Sequence, residues 1–146
     1  MSNKQTKKGF TLVEILVVVG LIAVLAAITI IAINPAKNFA DARNTQRSSD
    51  VGEILSAVTQ YTSDGVHNAA SLGTIPDCTG TPAHIGTGAS NVNLAATLVP
   101  DPLVAMPKDP SNGTDADTGY TICTISGRFQ IAAPGAENGK TISVKR

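Results

Sequence analysis

Apolar residues are arranged in two different ways along this chain, and the change falls near residue 34. Residues 10–33, FTLVEILVVVGLIAVLAAITIIAI, are apolar on every side and contain one charge, Glu14. A bilayer span needs about 20 apolar residues, so the run is long enough to cross a membrane. The competing reading is a buried core helix, but a domain this small rarely hides a helix without a polar face. Residues 36–62 follow another pattern. Val51, Ile54, Leu55, Val58 and Tyr61 recur at the spacing of one helix face, with Phe39 and the alanines near the same stripe. Lys37, Asp41, Arg43, Arg47, Asp50 and Glu53 are assigned to the remaining, solvated surface.

Asn34-Pro35 joins the two segments. Proline inside a helix removes a hydrogen bond and bends the axis. Asn34 as N-cap and Pro35 at the first helical position would equally start a fresh helix. One kinked helix is the expected form. From Phe10 to Tyr61 it would run about 78 Å at 1.5 Å per residue.

The remainder is polar and turn-rich. Residues 63–92 read as a loop with a short helical turn, and residues 93–98 as a short helix stopped before Pro100. Three runs at the end read as strands: 120–126 (YTICTIS), 128–133 (RFQIAA) and 141–145 (TISVK). Tight turns between them predict an antiparallel meander packed on the helix stripe. The fold class is therefore α+β, a long N-terminal helix and a small antiparallel sheet of about three strands.

Charge adds direction. The 146 residues carry 11 Lys+Arg and 11 Asp+Glu, but Lys4, Lys7 and Lys8 precede the apolar run with no acid beside them. The positive-inside rule puts that end in the cytoplasm and the rest across the membrane. An ordinary secretory signal fits less well. The apolar run is too long, a carboxylate stands near its start, and helical periodicity continues directly after it. Without residues 1–9 the balance is 8 basic to 11 acidic side chains. A mildly acidic body with 3% aromatic residues and no Trp offers neither the basic face nor the stacking platform of a nucleic-acid binder. No specific nucleic acid is expected as a partner.

Glu14 is the most informative residue. A charge within an apolar span costs about 3 kcal/mol on insertion scales. It could sit near enough the interface to stay wet, or it could have a partner cation. If the chain were cut after Gly9, Phe10 would expose a new amino group. An opposite charge at about 4 Å is worth roughly 4 kcal/mol at an effective dielectric near 20, before desolvation is subtracted. The amine could belong to the same chain or to a neighbour.

The string Lys7-Lys8-Gly9-Phe10-Thr11-Leu12-Val13-Glu14, followed by the apolar run, closely resembles the class III signal of type IV pilins and type II secretion pseudopilins. The strong likeness covers residues 1 to about 33. The resemblance implies cleavage by prepilin peptidase between Gly9 and Phe10, and N-methylation of Phe10. It also implies pairing of Glu14 with an adjacent subunit's amine during assembly. It divides the chain into a removed basic leader (1–9), a transmembrane or fibre-core helix (10–33), an amphipathic continuation (34–62) and a globular head (63–146). Implied partners are membrane lipid before assembly, the pilus or secretion machinery, and further copies of the chain in a helical homopolymer. The precursor would be a single-pass protein of the cytoplasmic membrane, and the product an extracellular or periplasmic filament. One departure is the lack of a proline inside the apolar run, where only Gly20 interrupts it.

Two cysteines, Cys78 and Cys123, read as a disulfide in an exported protein and as two reduced thiols otherwise. Residues 107–120, PKDPSNGTDADTGY, hold Asp109, Asp115 and Asp117 in a flexible setting of the ligand type Ca²⁺ prefers. The spacing is not that of an EF-hand, although some pseudopilins bind calcium in a comparable loop. A solvated acidic turn is the favoured reading, and apart from that Ca²⁺ candidate no cofactor is expected. No nucleophile, base and orienter come together, and His67 and His84 read as exposed loop residues. Asn112-Gly113-Thr114 matches a glycosylation acceptor, a triplet common by chance. The expectation is a fibre subunit and not an enzyme. A pseudopilin or a non-polymerising, membrane-anchored binding module is the alternative.

Overall fold

The computed structural model describes residues 9–146. The basic leader with Lys4, Lys7 and Lys8 lies outside the described residues. The chain forms two compact units, one closing at Asn38 and the other comprising Phe39–Arg146.

The first unit contains α1, Leu12–Ile33. Thr11 caps it, its side-chain oxygen accepting from the Glu14 N–H. This is one arm of the capping box that Thr11 and Glu14, three residues apart, spell out. None of the 22 residues of α1 is buried. Where one kinked helix was expected, there are two helices with Asn34 between them. Asn34 is left-handed, at φ 46° and ψ 73°. Pro35 has no N–H and disfavours a right-handed helical residue before it, whereas Asn tolerates the left-handed region. The Asn34 side chain then accepts from Lys37 N–H, starting α2, Pro35–Thr62. Asn38 donates its side-chain amide to the Ile33 carbonyl at the end of α1.

In the second unit α2 is the long element, and its buried face supports a sheet. Val51, Ile54, Leu55 and Val58 are buried, as the apolar spacing predicted, and Tyr61 is partly so. Phe39 departs from that stripe and is 65% exposed. The sheet has four antiparallel strands in sequence order, one more than expected. These are β1 (Ala83–His84), β2 (Thr121–Ile125), β3 (Arg128–Ala133) and β4 (Ile142–Lys145). Ile122, Ile131 and Val144 sit in register on the inward face. Ser126 and Gly127, both at positive φ, make the two-residue turn between β2 and β3, the geometry hairpins favour.

The stretch 63–92 is more ordered than a loop. Leu72, at the end of a 3₁₀ turn (Ala69–Leu72), joins Ile85 and Val92 in the core. The short helix α3, Ala95–Leu98, buries Leu98. Cys78 and Cys123 are joined by a disulfide across 45 positions. Pro76 and Cys78 exchange backbone hydrogen bonds of 2.8 Å with Thr124. This segment lies along β2 and accounts for the burial of Cys123 on the outward face.

Candidate functional site

Two sets of residues stand out: the start of α1, and a cluster of charges inside the second unit. At the first, Gly9 and Phe10 precede the helix in irregular, exposed backbone, and Phe10 is 78% exposed. Glu14 stands in the first turn, where a carboxylate complements the helix dipole. Among the described residues no cation pairs with it. Behind it, Leu12, Leu16, Leu25 and Ile31 are each more than 60% exposed. Each such side chain forgoes about 1.5–3 kcal/mol of burial, so α1 requires an apolar surround from outside the chain.

The second set was not foreseen. Arg47 and Asp50 were assigned to the solvated surface of α2, but both are buried, at 1% and 4% exposed. The reason is that Arg47 is fully partnered. Its Nε and one terminal nitrogen grip Asp109 side-on, at 2.6 and 3.0 Å. That second nitrogen also donates to Ser111 Oγ, at 2.8 Å. The other donates to Glu137 Oε2 at 2.8 Å and to Asn44 Oδ1 at 3.1 Å. All five guanidinium donors are thereby used. Glu137 also takes a two-point grip from Arg43. Asn44 exchanges hydrogen bonds of 2.9 Å with the Glu137 backbone, holding the β3–β4 loop against α2. Asp50 accepts from Gln46 at 2.7 Å and from the Tyr120 hydroxyl at 2.5 Å.

These contacts set the ionisation of the cluster. Burial works to raise the Asp109 carboxyl, but Arg47 and the Ser111 N–H outweigh it and hold it low. Hydrogen bonds from Arg43, then Arg47, hold Glu137 at about 2. The Asp109 contact, opposed by burial and aided by Glu137, raises Arg47. Burial, then Asp50, raises Tyr120.

The three aspartates considered for calcium go separate ways. Asp109 faces inward to Arg47, Asp115 pairs with Lys108 at 2.7 Å, and Asp117 pairs with His84 at 3.0 Å. Among the described residues no group of three or more His, Cys, Asp or Glu is placed to hold a metal ion. The loop is organised instead by Asp109, whose N–H donates to Thr118 and whose carbonyl accepts from Gly113. A Cβ on Gly113 would stand 2.4 Å from the Asp109 nitrogen, so only glycine fits. His84 is exposed, while His67 is half-buried, stacked on Tyr61 and hydrogen-bonded to Asp64. The signal for the buried cluster was spacing. Positions 40, 44, 47, 51, 54 and 58 form one helical stripe, and the polar members sit on it as squarely as the apolar ones.

A family model, the prokaryotic N-terminal methylation motif, matches residues 4–33. The chain carries the N-terminal signature of type IV pilin-like proteins. The match spans the end of the leader, Gly9, Phe10, Glu14 and all of α1. It covers about a fifth of the chain, leaving Phe39–Arg146 outside it. With the exposed apolar helix it fits a membrane-anchored precursor and a pilin- or pseudopilin-like substrate of prepilin peptidase. No curated protein and no solved structure matches the chain.

Proposed function

We propose that this protein is a structural subunit of a type IV pilus-like filament, cut between Gly9 and Phe10, methylated on Phe10, and assembled through α1. The observation that carries the reading is α1 itself: a motif-bearing helix of 22 residues with none buried and a carboxylate in its first turn. In the membrane its surround is lipid. In a filament it is the α1 of other copies, and Glu14 meets a neighbour's Phe10 amine there. For a simple anchor, leucine at position 14 would serve better, because the charge costs insertion energy. The second unit, Phe39–Arg146, would coat the fibre. The assembly machinery would be the other partner. The chain has no catalytic role in this reading, and none of its residues is assigned to a cofactor.

The test is a mass spectrum and electron micrographs of material sheared from cells expressing the chain with its assembly machinery. The expected result is thin filaments whose subunit begins at Phe10 and carries one added methyl group. Glu14→Ala should abolish filaments while the chain still inserts in the membrane. Filaments at wild-type yield from Glu14→Ala would sink the pairing role. A chain found only in the membrane, or only as a soluble monomer, would overturn the filament reading in favour of an anchored or exported binding module.

A further inference from the structure

Four of the seven Lys and Arg side chains of Phe39–Arg146 are paired with carboxylates, and the other three are clustered. Arg43, Arg47, Lys108 and Lys140 each contact a carboxylate. Arg128, Lys145 and Arg146 form no ion pair among the described residues. All three are exposed and lie together at the β2–β3 turn end of the sheet. Gln130 pairs with Lys145, Arg128 begins the same strand, and Arg146 exchanges backbone hydrogen bonds with Phe129. Beside them Ile125, opposite Arg128 in register, is exposed on the outward face, and a shallow notch is lined by Ile125, Ser126, Arg128 and Lys145.

A second notch, elsewhere on the unit, is lined by acids, of which Asp64 is paired with His67 and Asp101 forms no ion pair among the described residues. The end of α2 meets the 101–102 turn, and Asp64 and Asp101 line the gap with Tyr61, His67 and Pro102. Val66 and Val104, next to these segments in the chain, are 82% and 91% exposed. Four large apolar side chains of this unit are described as exposed, namely Phe39, Val66, Val104 and Ile125. Of the four, Ile125 lines the first notch, and Val66 and Val104 lie within two residues in sequence of residues that line the second.

We propose that the basic notch of one copy docks on the acidic notch of a second copy of this chain. The partner is a second copy because the two patches complement each other in charge, and Ile125 in the first and Val66 and Val104 in the segments of the second are exposed apolar residues that water alone does not favour. The pairing is heterologous. Basic on basic repels, so each notch meets the other kind and not its own. Repeated head to tail, a contact between two different patches of one unit builds an open filament where its rotation does not close a ring. The proposal rests on the filament reading above and adds to it a head-to-head register independent of α1.

The experiment uses the full chain with its assembly machinery, and wild-type filaments beginning at Phe10 show that the filament reading holds. Val104→Cys with Ile125→Cys should then give a ladder of disulfide-linked oligomers on non-reducing gels of sheared filaments, absent from either single variant. Arg128→Glu with Lys145→Glu should lower filament yield at least tenfold. Adding Val66→Lys and Asp101→Lys to the same chain should restore it, and these exposed sites leave the core untouched. Filaments without a ladder overturn the docking and leave the filament reading standing. Unchanged yield after the charge reversal overturns it too. A wild-type chain that never polymerises overturns both.

Discussion

The two helices of this protein are similar in length and opposite in what they bury. Of the 22 residues of α1 none is buried, whereas α2 buries nine of 28. The difference follows from the pattern of side chains and not from the amount of apolar surface. The more apolar helix is the one left bare, because it has no polar face to turn outward and no element of its own unit to pack on. The less apolar helix concentrates what it has on one stripe and builds a core there. The stability of α1 is thus set by its surroundings, while the second unit supplies its own. Substitutions should separate the two.

The largest effect is expected at Arg47. Replacing it with Met leaves the Asp109 carboxylate buried without its cation, which typically costs about 3–5 kcal/mol. Urea unfolding of the full chain in detergent micelles, followed by tyrosine fluorescence, should show the loss. Tyr120 is fully buried beside the cluster and the chain has no Trp, so the signal reports on this unit. Arg47→Met combined with Asp109→Leu should regain much of the loss, since an apolar pair carries no stranded charge. A single variant as stable as the wild type would show that water reaches the cluster.

A matched pair of isoleucines sharpens the contrast. Ile54 is wholly buried in α2 and Ile22 is 60% exposed on α1. Ile54→Ala should destabilise the second unit by about 2–5 kcal/mol. Ile22→Ala should move the same midpoint by no more than about 0.5 kcal/mol. Equal effects would mean that the two units unfold together.

What the sequence disclosed follows the same division. The helix of the first unit was legible because a 24-residue run that is apolar on every side has few alternative fates. β3 was legible because RFQIAA alternates between faces, and its observed burial does alternate. β1 was not, since two residues, Ala83 and His84, carry no period and exist as a strand only through pairing with β2. The buried ionic cluster was hidden for a related reason. Arg47 and Asp109 are 62 positions apart, and a charged residue on a helix ordinarily faces water. The candidate calcium loop shows the same thing. Asp109 attracts a cation, but the one it meets is a side chain of the same protein.

The smallest effect concerns acid. Glu137 titrates at about 2 in the folded chain against an ordinary value of 4.5, and Asp109 is also held low. Both are depressed by folding, so the stability they add is fully present above about pH 4.5. It is lost as pH falls through the folded values, because the unfolded chain takes up its protons first. The melting temperature of the second unit should therefore hold steady down to about pH 5 and decline from about 4.5 toward 2. Asp64, also held at about 2 by the His67 and Val66 N–H groups and by the His67 ring, titrates in the same window. Glu137→Gln separates them. It removes one titrating group while leaving the backbone contacts between Asn44 and residue 137, so the acid limb should become shallower. An acid limb of unchanged slope in Glu137→Gln would transfer the effect to Asp109 and Asp64. It would also show that the half-exposed Glu137 is too well screened for its ion pairs to couple to folding.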